Sequence, residues 1–477
     1  LGLFNFFKFL YMMMQRILLS WILLIYLLNC CKIIVADNNN NNNNNDDNSY
    51  IFFIKSPTSP ATKQFPWSML QQEPESFSIS HFRSLSNALN ITDSDKTWQN
   101  SKMKIGFTFQ WETLDCFLSP HSCTISQVKE GIENFLNSAV ATKTPVEITL
   151  DPVQFYYSSN LWNWYDPKQP GFNENNVNNV EWTSWSSTNA TMISWRNWGQ
   201  QFRMPTPQPN LASPALIKRT KDGLFEIISA IRDWYDRQKD VDRKVLISIK
   251  LGEEVDVGAN FYYYPNGNEI YRNNPTSSKS DPTYGLNSSK GLFGGLQPQG
   301  YNMLQTLKIR TSGPPPTREE ITFGIKNYFK EIISSCVKAW PDLMINGILA
   351  THGGAISDPL RIQWDAPMVI PATPGYSSYF GPSQFPSRSG KGNSNPVAQP
   401  GLKVALNEYN MGNEFIVAEA ACFGCHNVSE WVEYFHTIFS NPYGKVKYMR
   451  YYNIEPFLSQ SGSIEGLREF VASYVED

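Results

Sequence analysis

The chain has no block of like charge, few cysteines, few histidines and one apolar run of any length, and each shortage removes a class of function. Lysine and arginine number 40 and aspartate and glutamate 43 in 477 residues, for a net charge of −3. Without a basic stripe the electrostatic footprint of a nucleic-acid binder is missing, so nucleic acid is not an expected partner. Seven cysteines are too few to be the main scaffold of a chain this long. A zinc site is not expected, because His426 alone stands near Cys422 and Cys425 and a second ligand pair is missing. The chain also lacks a Gly-x-Ser-x-Gly elbow, a phosphate-binding P-loop and the dinucleotide Gly-x-Gly-x-x-Gly pattern. No metal or organic cofactor is therefore expected.

What is present starts with a leader. Arg16 precedes an apolar run over residues 17–28, and the small Ala36 follows, the pattern of a secretory signal peptide over residues 1–36. Residues 1–11 lie upstream of the methionines at 12–14 and read as an extension ahead of the true start. The run is shorter than the roughly 20 apolar residues of a spanning helix, so no stable membrane insertion is expected after cleavage; a retained anchor is the weaker alternative. Asn38 to Asn45, with Asp46, Asp47 and Asn48, offer no apolar surface to offset the entropy of ordering them, and residues 37–60 read as a disordered tether. Residues 61–103 are a lead-in to the folded part. The expected location is secreted or extracellular, with a lysosomal or other secretory-pathway compartment as the alternative. In such a compartment Cys116 with Cys123, and Cys422 with Cys425, are candidate disulfides. The Cys-Phe-Gly-Cys spacing also suits a redox dithiol, though a staple suits the compartment better. Cys336 lies in an apolar helical pattern and reads as a buried free thiol. Asn90, Asn189, Asn287 and Asn427 begin glycan-acceptor sequons, which places them on the surface if they are used.

Strand-like runs then alternate with amphipathic helical stretches over residues 104–477, which points to βα units and a parallel sheet. Strands are expected at 105–110, 146–150, 244–251, 343–350, 367–372, 402–406 and 446–452, with one more hidden between 153 and 204. Helices are expected at about 128–136, 214–238, 319–339, 428–439 and 464–474 from their 3.6-residue apolar stripes. Eight strands so arranged make a (β/α)8 barrel of the triosephosphate isomerase type, with long loop inserts at the C-terminal face of the strands. No internal repeat competes with this reading.

Two of these strands run into acids. The run at 246–251 is densely apolar, as a strand buried on both faces must be, and leads into Glu253 and Glu254; the run at 402–406 leads into Asn407 and Glu408. In a parallel barrel the ends of the strands are where catalytic groups stand. On this count, with acids after strands four and seven, the chain resembles the clan A glycoside hydrolases. That resemblance implies a retaining double displacement, with Glu254 as general acid/base and Glu408 as nucleophile. Many clan members have Asn directly before the acid/base, whereas here Glu253 precedes Glu254 and Asn407 precedes Glu408. The order of the two roles therefore stays open, as does which of Glu253 and Glu254 faces the site. Asp151, Asp256 and Glu455 also sit at strand ends; each suits a helix cap or an ion pair with an arginine such as Arg450 equally well.

Aromatic residues make up 14% of the chain and crowd the stretch after residue 160. Sugar C–H faces pack on aromatic rings while indole and phenol groups reach hydroxyls, so Trp162, Trp164 and Tyr262 are candidate lining residues, although large aromatics are often plain core anchors. His352, followed by two glycines, could orient a carboxylate or meet a sugar hydroxyl, or be an ordinary loop residue. With Asn407 and Glu455 these complete the expected substrate-binding set, and the expected partner is a carbohydrate or glycoconjugate. A secreted glycosidase is the leading expectation; a non-catalytic carbohydrate-binding protein on the same scaffold is the alternative, since function belongs to sites rather than folds.

Overall fold

The computed structural model describes residues 48–54, 77–91, 100–118, 123–152, 160–192, 194–197, 201–204, 206–255, 257, 299–343, 348–353, 376–380, 414–420, 422, 425–440, 445–451 and 454–474. The expected signal peptide and most of the expected tether fall outside these. The chain divides into a unit of residues 1–47 and a unit of residues 48–477, and the second carries everything that follows.

Eight parallel strands close into a barrel: β1 Ser49–Ile54, β2 Met103–Glu112, β3 Val146–Asp151, β4 Leu246–Val255, β5 Leu349–Gly353, β6 Tyr376–Phe380, β7 Glu414–Ala420 and β8 Lys445–Tyr451. The order around the ring is β1-β8-β7-β6-β5-β4-β3-β2, with β1 closing against both β2 and β8. The fold is the expected (β/α)8 barrel, but two strands differ from expectation in ways that cancel. Residues 49–54, placed in the tether, are the first strand. The hidden strand between 153 and 204 is no barrel strand: Ser194–Asn197 and Gln201–Met204 pair only with each other, antiparallel. The strand at 246–255 is fourth on either count.

Further along, the expected strand at 343–350 begins later, at Leu349, after a 3-10 turn over Pro341–Leu343. The expected strands at 367–372 and 402–406 lie outside the described residues; the sixth and seventh places in the ring belong to β6 and β7.

Several described helices begin at a side-chain cap. Those of six or more residues are α1 Ile79–Ala88, α2 Ile125–Thr142, α3 Pro214–Arg237, α4 Tyr301–Thr306, α5 Arg318–Ala339, α6 Val428–Phe439, α7 Ile454–Ser459 and α8 Ser463–Ala472. Thr124 with Gln127, and Thr317 with Glu320, make reciprocal capping boxes at α2 and α5, each satisfying two backbone donors that a helix end leaves orphaned. Ser213 caps α3 with Pro214 in its first turn, and Asn427 caps α6. No described helix is long and apolar enough to cross a membrane.

Strand alternation divides the barrel into two environments. Ile148, Leu150, Ile249, Leu251, Val255, Val446, Met449 and Tyr451 join the main hydrophobic core with helix residues such as Ile227, Ile231 and Tyr328. The intervening positions face the lumen, where Tyr50, Phe52, Ala350, Ile416 and Tyr448 form a separate small cluster. Above and among these sit polar side chains with no access to solvent. Glu147 and Arg450 are both 0% exposed and pair at 3.0 Å. The same Glu147 oxygen accepts from the hydroxyls of Thr108 at 2.8 Å and Thr149 at 2.9 Å. Ser248 and Tyr448 hydroxyls meet across the lumen at 2.9 Å.

Cys116–Cys123 and Cys422–Cys425 are disulfides, and Cys336 is a buried free thiol. Asn90, Asn189 and Asn427 are exposed, while Asn287 lies outside the described residues.

Candidate active site at the barrel mouth

The C-terminal strand ends present carboxylates. Asp151 closes β3, is fully buried, and accepts from the Gln110 amide at 3.2 Å. Thr149 and Asp151 share the lumen side of β3 with Glu147, because Ile148 and Leu150 pack outward. On β4 the alternation continues past Ser248 and Lys250. The register with β5 slips between Leu251 and Val255, where Gly252 has φ +78°, a value only glycine holds without strain. Both Leu251 and Val255 lie in the outer core, so the slip preserves parity. Glu254, rather than Glu253, occupies a backbone position in step with Ser248 and Lys250.

On β5, Ala350 lies in the lumen cluster, and His352 stands two residues further on the same strand. On β7, Ile416 is in the lumen cluster and Val417 in the outer core. A bulge follows. Beyond it Ala420 registers with Tyr451 of the outer core, and Glu419 with Phe380, two residues after the Ser378 that partners Ile416. Both neighbours thus give Glu419 a lumen position near the end of the seventh strand. Bulges of this kind re-aim a side chain at the rim of a barrel.

Glu408, Asn407 and Tyr262 lie outside the described residues. With the seventh strand at Glu414–Ala420, Glu408 comes before that strand instead of closing it. Glu419 went unremarked in the sequence because the run at 402–406, followed by Asn-Glu, is an equally apolar strand signal with a more conspicuous ending.

Of the expected substrate-binding set, the side chains of Trp162, Trp164 and Glu455 are described. Trp162 is 1% exposed and packs in the main core, so it anchors its loop and offers no face to a ligand. Glu455 is exposed in the first turn of α7, where a carboxylate complements the helix dipole. Trp164 is half-buried, with its indole N–H donating to the Thr191 carbonyl at 3.0 Å; a ring held this way keeps its orientation.

The inserts after β3 and β4 leave the barrel at the same end and dock on each other. The Trp185 indole donates to the Gly313 carbonyl at 2.7 Å, and its ring is covered by Arg310 at 4.6 Å and met edge-on by Tyr301 at 4.9 Å. Asn302 donates to the carbonyls of Val180 at 2.7 Å and Asn178 at 3.0 Å. Asn210 reaches Thr306 at 2.9 Å. Arg310 is itself held by Glu320 through two bonds, at 2.6 and 2.7 Å, the fork geometry that suits guanidinium and carboxylate. The described parts of both inserts therefore pack as one unit.

Within that unit Glu181 is wholly buried, with one carboxyl oxygen accepting from the Gly300 N–H at 2.9 Å. Burial pushes its pKa from 4.5 up to about 8, against the opposing pull of N–H groups at Gly300, Trp182, Asn302 and Met303. A raised carboxyl pKa means the folded state holds a proton that the unfolded state loses first. Stability from this group is full below about pH 4.5 and is lost as pH rises through about 8. Glu181→Gln should keep the acceptor and remove that dependence. Denaturant midpoints measured from pH 5 to 9 should fall for the unmodified protein and fall less for the variant; parallel curves would contradict this.

No family model matches the chain, and no curated protein matches it. Among solved structures it is similar to the catalytic domain of a β-amylase from Paenibacillus polymyxa, at 11% identity and a TM-score of 0.44 over 91% of this chain and 99% of that one. It is also similar to a broad-specificity endoglucanase from an uncultured bacterium, at 9% identity and a TM-score of 0.37, covering 91% and 96%. A third is the β-glycosidase BGL167, at 7% identity and a TM-score of 0.36, covering 84% and 88%.

Proposed function

We propose that the chain is a secreted glycoside hydrolase that cleaves glycosidic bonds with retention of configuration, acting on a carbohydrate or glycoconjugate. Glu254 is its general acid/base and a carboxylate of the seventh-strand region its nucleophile. The observation that carries this reading is the backbone position of Glu254 and Glu419, both in step with lumen residues near the C-terminal ends of β4 and β7. Retention needs two carboxyl groups about 5 to 5.5 Å apart, one protonated toward the leaving oxygen and one ionised toward the anomeric carbon. Glu408, the nucleophile that the resemblance implies, is a second candidate, although the Asn407 immediately before it suits an acid/base instead.

In the first step Glu254 gives its proton to the glycosidic oxygen as the nucleophile's carboxylate bonds to the anomeric carbon and the C–O bond to the leaving group breaks. In the second, Glu254 takes a proton from water, whose oxygen displaces the enzyme carboxylate. Two inversions give net retention. Trp164, Tyr262 and His352 are proposed to contact the sugar. Secretion is supported by the leader-like run at 17–28 and by two disulfides.

The test is a panel of aryl glycosides followed by proton NMR of the first sugar released. Turnover with the anomer of the substrate is expected. Release of the opposite anomer would replace retention by inversion, and glycan binding without turnover of any substrate would favour the carbohydrate-binding alternative.

A further inference from the structure

Lys250 stands out among the lumen residues. It is 0% exposed on β4, between Thr149 of β3 and Ala350 of β5 in register. Ile249 and Leu251 on either side pack outward, and Ser248, in step with it, reaches Tyr448 across the lumen. Lys250 therefore lies inside the barrel, one lumen position below Gly252 and two below Glu254. An ammonium in so dry a place is retained as a charge only where anions compensate it, because desolvation otherwise drives off its proton. The structure supplies anionic positions chiefly above it, toward the mouth.

The charged and titratable groups around it come from five other strands. β2 brings Glu112 near its end. β3 brings Asp151, one lumen position above the Thr149 that partners Lys250, and Glu147 below, already engaged by Arg450. β5 brings the position of His352, β7 that of Glu419, and β8 brings Tyr448 and Arg450. Arg450 pairs with Glu147 at 3.0 Å, and Lys250 is in register with Thr149, two residues before Asp151.

We propose that Lys250 is a positioning residue for the glycosidase reaction: its charge, at a lumen position one below that of Asp151 and two below that of Glu254 on the strands, sets the pH range over which the catalytic pair works. This rests on the glycosidase reading above. A cation within about 4–6 Å favours the ionised form of a carboxyl group by about one to three pH units. Removing it makes the carboxyl groups above it harder to ionise, so both limbs of a bell-shaped profile move to higher pH.

The experiment is the pH profile of kcat and kcat/KM on the best aryl glycoside of the panel, for the unmodified protein, Lys250→Met and Lys250→Arg. For Lys250→Met the acid limb is expected to move up by about one pH unit or more, with kcat falling more than KM rises. Lys250→Arg keeps the charge and should leave the limb where it was. Loss of activity by the same factor at every pH, or identical profiles for the two variants, would overturn the proposal and leave Lys250 a packing residue. Should Lys250→Met fail to fold, Asp151→Asn decides: removing the anion should move the limb to lower pH, and an unmoved limb overturns the charge argument. Turnover with unmoved limbs defeats this inference alone, whereas no turnover by the unmodified protein defeats the glycosidase reading on which it stands.

Discussion

Glu419→Ala should lower turnover of an activated aryl glycoside by more than about four orders of magnitude, as loss of a nucleophile does when it acts as part of a unit. Small anions such as azide should not restore a product of retained configuration, because there is no longer a group to form the first covalent bond. Glu254→Ala should behave differently on the same substrate. A good leaving group needs little protonation, so the first step is nearly spared, while the second lacks its base and azide should rescue it with retention. On an unactivated glycoside the Glu254 variant should lose about 10²- to 10⁴-fold. The motive is positional: both residues stand near C-terminal strand ends and in step with lumen neighbours. Steady-state kinetics with and without azide check it. Swapped behaviour would keep the enzyme and reverse the roles; full activity in Glu419→Ala with none in Glu408→Ala would move the nucleophile to Glu408.

Arg450→Met alone should destabilise the fold by about 3–5 kcal/mol, because it strands the Glu147 carboxylate at a site with no solvent. That carboxylate would retain hydroxyl donors such as Thr108 and Thr149, which satisfy lone pairs but do not neutralise charge. The double variant Glu147→Gln with Arg450→Met should recover most of the loss, since replacing both members of a buried pair is often close to neutral. Urea unfolding of the two single variants and the double variant gives the coupling directly. Additive losses would show that the pair is not coupled.

The parts of the fold legible in the sequence are those where local chemistry and tertiary environment agree. The fourth strand could be read because Leu246, Ile249 and Leu251 pack against helices while it runs directly into two acids. Helices α3 and α5 could be read because their apolar stripes follow a cap, at Ser213 and Thr317. The first strand was hidden because Tyr50 to Phe53 follow directly on an asparagine tract, and only pairing with β2 and β8 shows that they belong to the barrel. The missing strand was then sought in the tryptophan-rich stretch, where Ser194–Asn197 and Gln201–Met204 pair with each other and not with the barrel.

The lumen was illegible for a different reason. Lys250, Glu147 and Arg450 are charged residues in strands, which single-sequence reasoning assigns to a solvated face; inside the barrel Glu147 and Arg450 pair, and Lys250 is shut away from solvent with them. Glu181 is likewise an ordinary loop acid until the Gly300 N–H arrives from 119 residues away. Glu419 could be found only from register, since the bulge after Val417 breaks the simple alternation that would have flagged it.

The most direct test of the central claim is to trap the glycosyl-enzyme. A 2-deoxy-2-fluoro aryl glycoside with a good leaving group slows both steps by destabilising the oxocarbenium-like transition state, and the fast leaving group lets the covalent intermediate accumulate. Peptide mapping by mass spectrometry after incubation should show one added fluorosugar, carried on Glu419 and absent in Glu419→Ala. Turnover of the parent glycoside with no covalent adduct on any carboxylate of the seventh-strand region would contradict the account.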